Sequence, residues 1–153
     1  MPDLQNLPIG KSSFGSIREK NDLYVDKTRF IHQMVSKGDY YFLSRPRRFG
    51  KSLTISTLRC LFEGRRDLFE GLWIAENARW EWKEHPVILL DFNEIGRDTP
   101  ENLKTGLVRA MANIAEANDL PFDAPLIESQ FKELIIGLSR KTGCPVVILV
   151  DEY

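Results

Sequence analysis

The chain has 153 residues, of which 42% are hydrophobic and 28% are charged, and its formal net charge is -1 at pH 7. These values are typical of a globular domain, and they exclude a protein whose whole surface binds nucleic acid or anionic membrane. No apolar run reaches the roughly 18–20 residues that span a bilayer. Cys60 and Cys144 form no CxxC pair, so we expect reduced thiols and a cytoplasmic location.

The first third of the chain predicts one helix, one strand and a second helix. Residues 1–22 are polar and interrupted by proline and glycine, which indicates irregular structure. Asp26 has the position of an N-cap for a helix that ends near residue 38. The run Tyr-Tyr-Phe-Leu at 40–43 is typical of a buried strand. Apolar residues at helical spacing then predict a helix up to Gly64.

The remainder predicts two strands separated by two helices. Residues 65–84 contain three tryptophans and are not assigned. Apolar runs at 87–90 and 146–150 indicate buried strands, and helices are predicted from Pro100 to about residue 118 and from about residue 123 onward. Continuous apolar strands that alternate with amphipathic helices predict an α/β fold with a parallel sheet covered on both faces.

The loop between the first predicted strand and its helix has the residues of a phosphate-binding loop. Gly50 allows the backbone to approach a ligand closely, Lys51 can reach the β- and γ-phosphates, and the Ser52 hydroxyl can bind Mg²⁺. The usual spacing places another glycine five residues before Gly50, and here that position is Arg45. The loop is therefore a variant of the usual pattern.

A second copy of the same tripeptide, Gly10-Lys11-Ser12, shows that the pattern alone is weak. That copy follows no predicted strand, and the residues after it do not predict an amphipathic helix. Gly50-Lys51-Ser52 has the strand, loop and helix that a phosphate site requires. We therefore expect the phosphate site at the second copy.

The strand at 146–150 runs into Asp151 and Glu152. A carboxylate at the end of a buried parallel strand can hold Mg²⁺, usually through water, and an adjacent glutamate can polarise an attacking water. Solvated charges at a strand end are the alternative. The phosphate loop upstream favours the metal and catalytic interpretation.

Several other residues leave alternatives open. Arg45, Arg47 and Arg48 either contact phosphate or form a solvated basic turn. Asp91 follows a strand and is either a second acidic site residue or a solvated strand end, with the solvated interpretation favoured. The tryptophans could stack on bases, although packing is the commoner role, and residues 14–24 could cover an adenine ring.

The phosphate loop and the strand that ends in Asp151 together make the chain resemble the bacterial predicted AAA-ATPase-like family. The resemblance rests on the motifs at 7–10, 24–28, 41–53, 85–87 with 91–92, and 150–153, above all on Ser-Arg-Pro-Arg-Arg-Phe-Gly-Lys-Ser at 44–52. It implies ATP binding and Mg²⁺-dependent ATP hydrolysis in a P-loop three-layer sandwich. In this chain the matching Walker A positions are Gly50, Lys51 and Ser52, and the Walker B positions are Asp151 and Glu152.

The resemblance also assigns individual roles. Glu152 and Lys51 are expected to be catalytic, and Ser52 and Asp151 are expected to hold the metal. The nucleotide is expected to contact the whole loop and the first residues of the helix: Arg45, Pro46, Arg47, Arg48, Phe49, Gly50, Lys51, Ser52 and Leu53.

Residues 1–153 are expected to be the N-terminal part of one domain, with an irregular segment and helix at 1–39 and the nucleotide-binding core at 40–153. In this branch of P-loop proteins two more strands, with a sensor residue, would follow Tyr153. We therefore expect weak nucleotide binding and inefficient turnover by this chain alone. Family members often continue into a nuclease-like C-terminal domain, which suggests DNA as a partner; the oligomeric state stays open.

Two other functions are compatible with these residues. In one, the chain is a non-hydrolysing module that nucleotide regulates for a nucleic-acid or protein partner. In the other, the arginine loop binds DNA directly, with an affinity that falls steeply as salt rises. No membrane partner is expected.

Overall fold

The computed structural model describes residues 4–44, 46, 48–96, 98–123 and 126–151. The chain divides into two compact units, Met1–Lys83 and Glu84–Tyr153. The described residues of the first unit form helices, and those of the second combine helices with a two-stranded parallel sheet. This mixture is compatible with the expected α/β class. The placement of both units in one nucleotide-binding domain stays a prediction.

The first unit consists of short helices in the part of the chain that the structure describes. They are α1 (Phe14–Glu19), α2 (Thr28–Val35), α3 (Lys51–Phe62), a 3₁₀ turn (Arg66–Phe69) and α4 (Trp73–Asn77). The predicted helix that precedes Gly64 is confirmed as α3. Its apolar residues repeat at helical spacing over enough turns for the helix to be recognised from the sequence alone.

Helix α1 contradicts the prediction of irregular structure throughout residues 1–22. The Ser13 hydroxyl accepts a hydrogen bond from the Ser16 N–H at 3.3 Å and caps this six-residue helix. Phe14 and Ile17 lie on its inner side and are 0% and 1% exposed. A cap and two buried side chains are therefore enough to stabilise a helix that is too short to show a period.

The core of the first unit forms where α1 packs against α3. The ring of Phe14 lies 4.7 Å from that of Phe69, and Leu61 of α3 is fully buried. The Phe14 N–H donates to the Ser56 hydroxyl of α3 at 2.9 Å. Apolar packing and this hydrogen bond together hold one side of α3 in place.

The predicted strand at 40–43 is wrong. The structure has no strand there, and Tyr40, Tyr41 and Phe42 are 96%, 50% and 73% exposed. The Tyr41 hydroxyl donates to the Met34 carbonyl of α2, so this segment is held by a local contact. An aromatic run indicates that its side chains favour burial. A strand also requires a neighbouring strand to pair with, and none of the described residues supplies one.

The second unit matches its predicted elements closely. It contains β1 (Val87–Asp91), α5 (Pro100–Ala117), α6 (Ile127–Thr142) and β2 (Val147–Asp151). The strands pair in parallel, with Val87 opposite Val147. Parallel neighbours need a long crossover, and α5 and α6 provide it.

One face of this sheet carries the core of the second unit. Ile88 and Leu90 of β1 are 0% and 9% exposed and pack against α5 and α6. The buried helical members of this core are Met111, Ala115, Leu134 and Leu138. The crossover helices therefore cover the strand that begins the unit, as expected for an α/β arrangement.

Asp26 joins the starts of two helices in the first unit. The N-cap position of α2 is Lys27, one residue later than predicted, but the Asp26 carboxylate accepts from the Thr28 N–H at 2.7 Å. Its other oxygen accepts from the Trp73 N–H of α4 at 2.6 Å.

We expect Asp26→Ala to lower the free energy of unfolding by about 1–3 kcal/mol, because two helix-terminal N–H groups lose their acceptor. Chemical denaturation measures this change. Asp39→Ala is the matched control, since Asp39 is exposed and its carboxylate has no hydrogen bond or ion pair to a described residue; it should change stability by less than about 0.5 kcal/mol. Equal losses in both variants would refute the bridging role.

Candidate functional site

Helix α3 begins at Gly50 in a conformation that favours glycine. The N-cap Gly50 has φ 75° and ψ 27°, in the left-handed region. Residues other than glycine are strained in this conformation by about 1–2 kcal/mol. The Gly50 carbonyl accepts from both the N–H and the hydroxyl of Thr54, at 3.0 and 2.9 Å. Gly50 therefore turns the loop into the helix while its carbonyl closes the first helical turn.

The first turn of α3 leaves backbone donors available. Among the described residues, the N–H groups of Lys51, Ser52 and Leu53 have no acceptor, and no side chain caps the helix. Such N–H groups at a helix N-terminus, together with the helix dipole, form a binding site for anions. This is the geometry that a phosphate group requires.

The side chains of the loop and the first turn lie around these donors. Lys51 and Ser52 are half-buried, and neither side chain has an ion pair or hydrogen bond to a described residue. Pro46, Arg48 and Phe49 are exposed, and Arg48 has φ 65°, a left-handed conformation that is uncommon for a residue with a side chain. The predicted site residues Arg45 and Arg47 lie outside the described residues.

The buried residues of α3 and those packed around it have a structural role. Burial raises the pKa of the Cys60 thiol and of the Tyr24 phenol, so both groups stay neutral near pH 7. A buried neutral thiol is a poor nucleophile. Phe14 is fully buried and faces the core, while the covering of an adenine ring by residues 14–24 as a segment stays a prediction. The chemistry of this helix is therefore confined to its N-terminal turn.

The first Gly-Lys-Ser copy is occupied by an internal contact. Lys11 pairs with the carboxylate of Asp22, which is 3% exposed. A buried carboxylate needs such a partner, because desolvation of an unpaired charge is costly. Helix α1 follows this copy but is capped by Ser13 and has only six residues. These contacts support the exclusion of Gly10-Lys11-Ser12 as a phosphate site.

The three tryptophans pack against other rings in the first unit. The ring pairs are His32–Trp73 at 5.9 Å, Phe62–Trp80 at 5.8 Å and Phe69–Trp82 at 5.2 Å. These distances are typical of aromatic packing. The packing role that the sequence favoured is thus the one observed.

The predicted metal residue Asp151 ends β2 in the second unit. Asp151 is 9% exposed, and its carboxylate has no hydrogen bond or ion pair among the described residues. Asp91 ends β1 opposite Asp151, and its carboxylate accepts from the Asn93 N–H at 2.8 Å. Glu152 lies outside the described residues. Within the described ranges, no group of three or more His, Cys, Asp or Glu residues gathers as a metal cluster.

Comparison with known proteins decides the family. The model of the family described as "Predicted AAA-ATPase" matches residues 8–153. The chain belongs to this family. The name of the predicted AAA-ATPase family indicates a nucleotide-binding module, which agrees with the anion-binding geometry at the start of α3.

A relative in Azotobacter chroococcum mcd 1 is described as "Uncharacterized protein in vnfD 5'region". It is 41% identical over 152 residues, which are 97% of this chain and 29% of the relative. The chain thus spans less than a third of the length of that protein. No solved structure is significantly similar to the chain. None of the helices in the described residues has the length and apolar character needed to cross a bilayer.

Gly50 and Gly71 provide a matched pair for testing the loop. Both have left-handed φ, at 75° and 73°, and an added Cβ would meet no atom within 4 Å at either. Replacement by alanine should therefore cost about 1–2 kcal/mol of stability at each, through backbone strain alone. Only Gly50→Ala should also weaken ATP binding, measured by calorimetry, because only Gly50 orients the first turn of α3. Equal ATP affinities in the two variants would contradict this role.

Proposed function

We propose that this chain binds ATP together with Mg²⁺, and that the full-length protein containing it hydrolyses ATP. The observation that carries the proposal is the start of α3, where Gly50 precedes three backbone N–H groups without a described acceptor. Lys51 and Ser52 lie in the same turn. The family name supports a nucleotide as the anion.

In this proposal, the backbone of α3 and the loop bind the phosphates. The N–H groups of residues 51–53 donate to phosphate oxygens, and the Lys51 ammonium adds a charge-assisted contact to the β- and γ-phosphates. Arg45, Pro46, Arg47, Arg48 and Phe49 are proposed to contact the nucleotide as well. Binding would thereby depend on local geometry within the first unit.

The residues also fit a magnesium ion. Mg²⁺ retains most of its water and takes one or two carboxylates, and Asp151 offers a buried carboxylate with no described partner. The Ser52 hydroxyl is the second proposed metal ligand. When bound, Mg²⁺ would neutralise charge on the phosphate oxygens. Glu152 is proposed to orient and polarise the attacking water.

We also propose that the second unit belongs to a P-loop three-layer sandwich. Support comes from the parallel pairing of β1 and β2, from the helical crossover, and from the carboxylate at the end of β2. Residues 40–43 are not included in this sheet, since they form no strand.

Lys51→Ala is the direct test of nucleotide binding. Loss of the ammonium–phosphate contact should cost about 2–4 kcal/mol, which is a roughly 30- to 1,000-fold loss of ATP affinity. Calorimetry with dialysed full-length protein and ATP–Mg²⁺ measures it. Lys20→Ala removes an exposed ammonium elsewhere in the first unit and should leave the affinity unchanged. Equal affinity in Lys51→Ala and wild type would refute the proposal.

Glu152→Gln separates hydrolysis from binding. If Glu152 polarises water, the variant should retain ATP affinity while phosphate release falls by about 10²–10⁴-fold. Phosphate release from full-length protein and calorimetry on the same sample measure the two quantities. A wild-type rate that is already negligible and does not change in Glu152→Gln would instead favour the non-hydrolysing, nucleotide-regulated module.

A further inference from the structure

The two strands of the second unit end in aspartates at the same level. Their sequences are Val-Ile-Leu-Leu-Asp and Val-Ile-Leu-Val-Asp, and the register places Asp91 directly opposite Asp151. Opposed residues of a parallel pair point to the same side of the sheet, and neighbouring strands lie about 4.8 Å apart. The Phe92 N–H donates to the Asp151 carbonyl at 3.0 Å and extends the pairing to the strand ends. Two carboxylates therefore stand side by side.

Asp151 has the surroundings of a residue that binds a cation. It is 9% exposed, yet its carboxylate has no hydrogen bond or ion pair to any described residue. Buried charges in proteins are almost always paired or bound to a metal, because desolvation of an unpaired charge is costly. A second carboxylate beside it adds repulsion. Both effects are relieved by a divalent cation.

Asp91 is oriented by the turn that follows β1. Its Oδ1 accepts from the Asn93 N–H at 2.8 Å, and its backbone carbonyl accepts from the N–H groups of Glu94 and Ile95, both at 3.1 Å. Ile95 is 5% exposed and belongs to the core of the second unit, so this turn is anchored. The other carboxylate oxygen of Asp91 has no described partner and remains available.

We propose that Asp91 is a second carboxylate of the metal site, so that Asp91 and Asp151 together hold one hydrated divalent cation. Mg²⁺ suits this pair, since it keeps several waters and takes one or two carboxylates. The inference rests on the proposed function, in which Asp151 is the metal residue. It adds a residue that the sequence alone favoured as a solvated strand end.

The test is paramagnetic broadening of amide NMR signals by Mn²⁺ alone, with no nucleotide, on the whole chain. In wild type, Mn²⁺ should broaden the signals of both strand ends, residues 91–93 and 151. Asp91→Asn keeps the acceptor for the Asn93 N–H but removes the charge, and should raise the Mn²⁺ concentration for half-broadening about tenfold or more. Glu94→Gln removes a charge from the same turn at an exposed position and should leave that concentration unchanged.

Three results would overturn the inference: no broadening at the strand ends in wild type, an unchanged Mn²⁺ concentration in Asp91→Asn, or equal effects of Asp91→Asn and Glu94→Gln. The same spectra report whether each variant is folded, and Asp91→Ser, which also keeps an acceptor at this position, replaces the asparagine variant if that one unfolds. Because nucleotide is absent, the result is independent of Lys51. Unchanged ATP affinity in Lys51→Ala would refute the proposed function while leaving the Mn²⁺ result standing.

Discussion

The packing of α3 against α1 is the constraint on which the candidate phosphate site depends. Thr57, Leu58 and Leu61 are buried on the inner side of α3, and the Phe14 N–H donates to Ser56. The first turn of the same helix is only partly buried. Because one side of the helix is held by apolar contacts, its first N–H groups keep their positions although no described residue accepts from them. Preorganised donors of this kind bind an anion without having to rearrange.

The second unit depends on a different constraint, the parallel register of β1 and β2. In each strand four apolar residues precede an aspartate, and Val87 pairs with Val147. A slip of one residue would move the side chains of one strand to the opposite face, so burial of Ile88 and Leu90 selects this register. The alignment of the two carboxylates is therefore a consequence of core packing. Packing of the apolar residues positions polar groups that are themselves costly to bury.

The sequence predicted the helices and strands that are marked by a local capping residue or by a regular pattern of apolar residues. Helix α5 begins with Thr99 as N-cap and Pro100 at its first position, and both β1 and β2 are short β-branched and leucine-rich runs. The segment at 40–43 was misread, because its apolar run carries no information about whether a neighbouring strand exists. Helix α1 was missed for the opposite reason, since six residues are too few to show a period and its burial depends on Phe69, far along the chain.

The two Gly-Lys-Ser copies show how much of the candidate site could be predicted from the sequence. Both have a glycine with positive φ, at 71° for Gly10 and 75° for Gly50, so the two glycines share this backbone conformation. The copies differ in their tertiary contacts. Lys11 is paired with buried Asp22, whereas Lys51 has no ion pair among the described residues. Lys51 also begins a twelve-residue helix whose first N–H groups have no described acceptor. Tertiary structure also determines the surroundings of Asp91, because its partner in the register, Asp151, is sixty residues away in the sequence. A short motif therefore determines which side chains are available for chemistry, and packing determines whether they remain available.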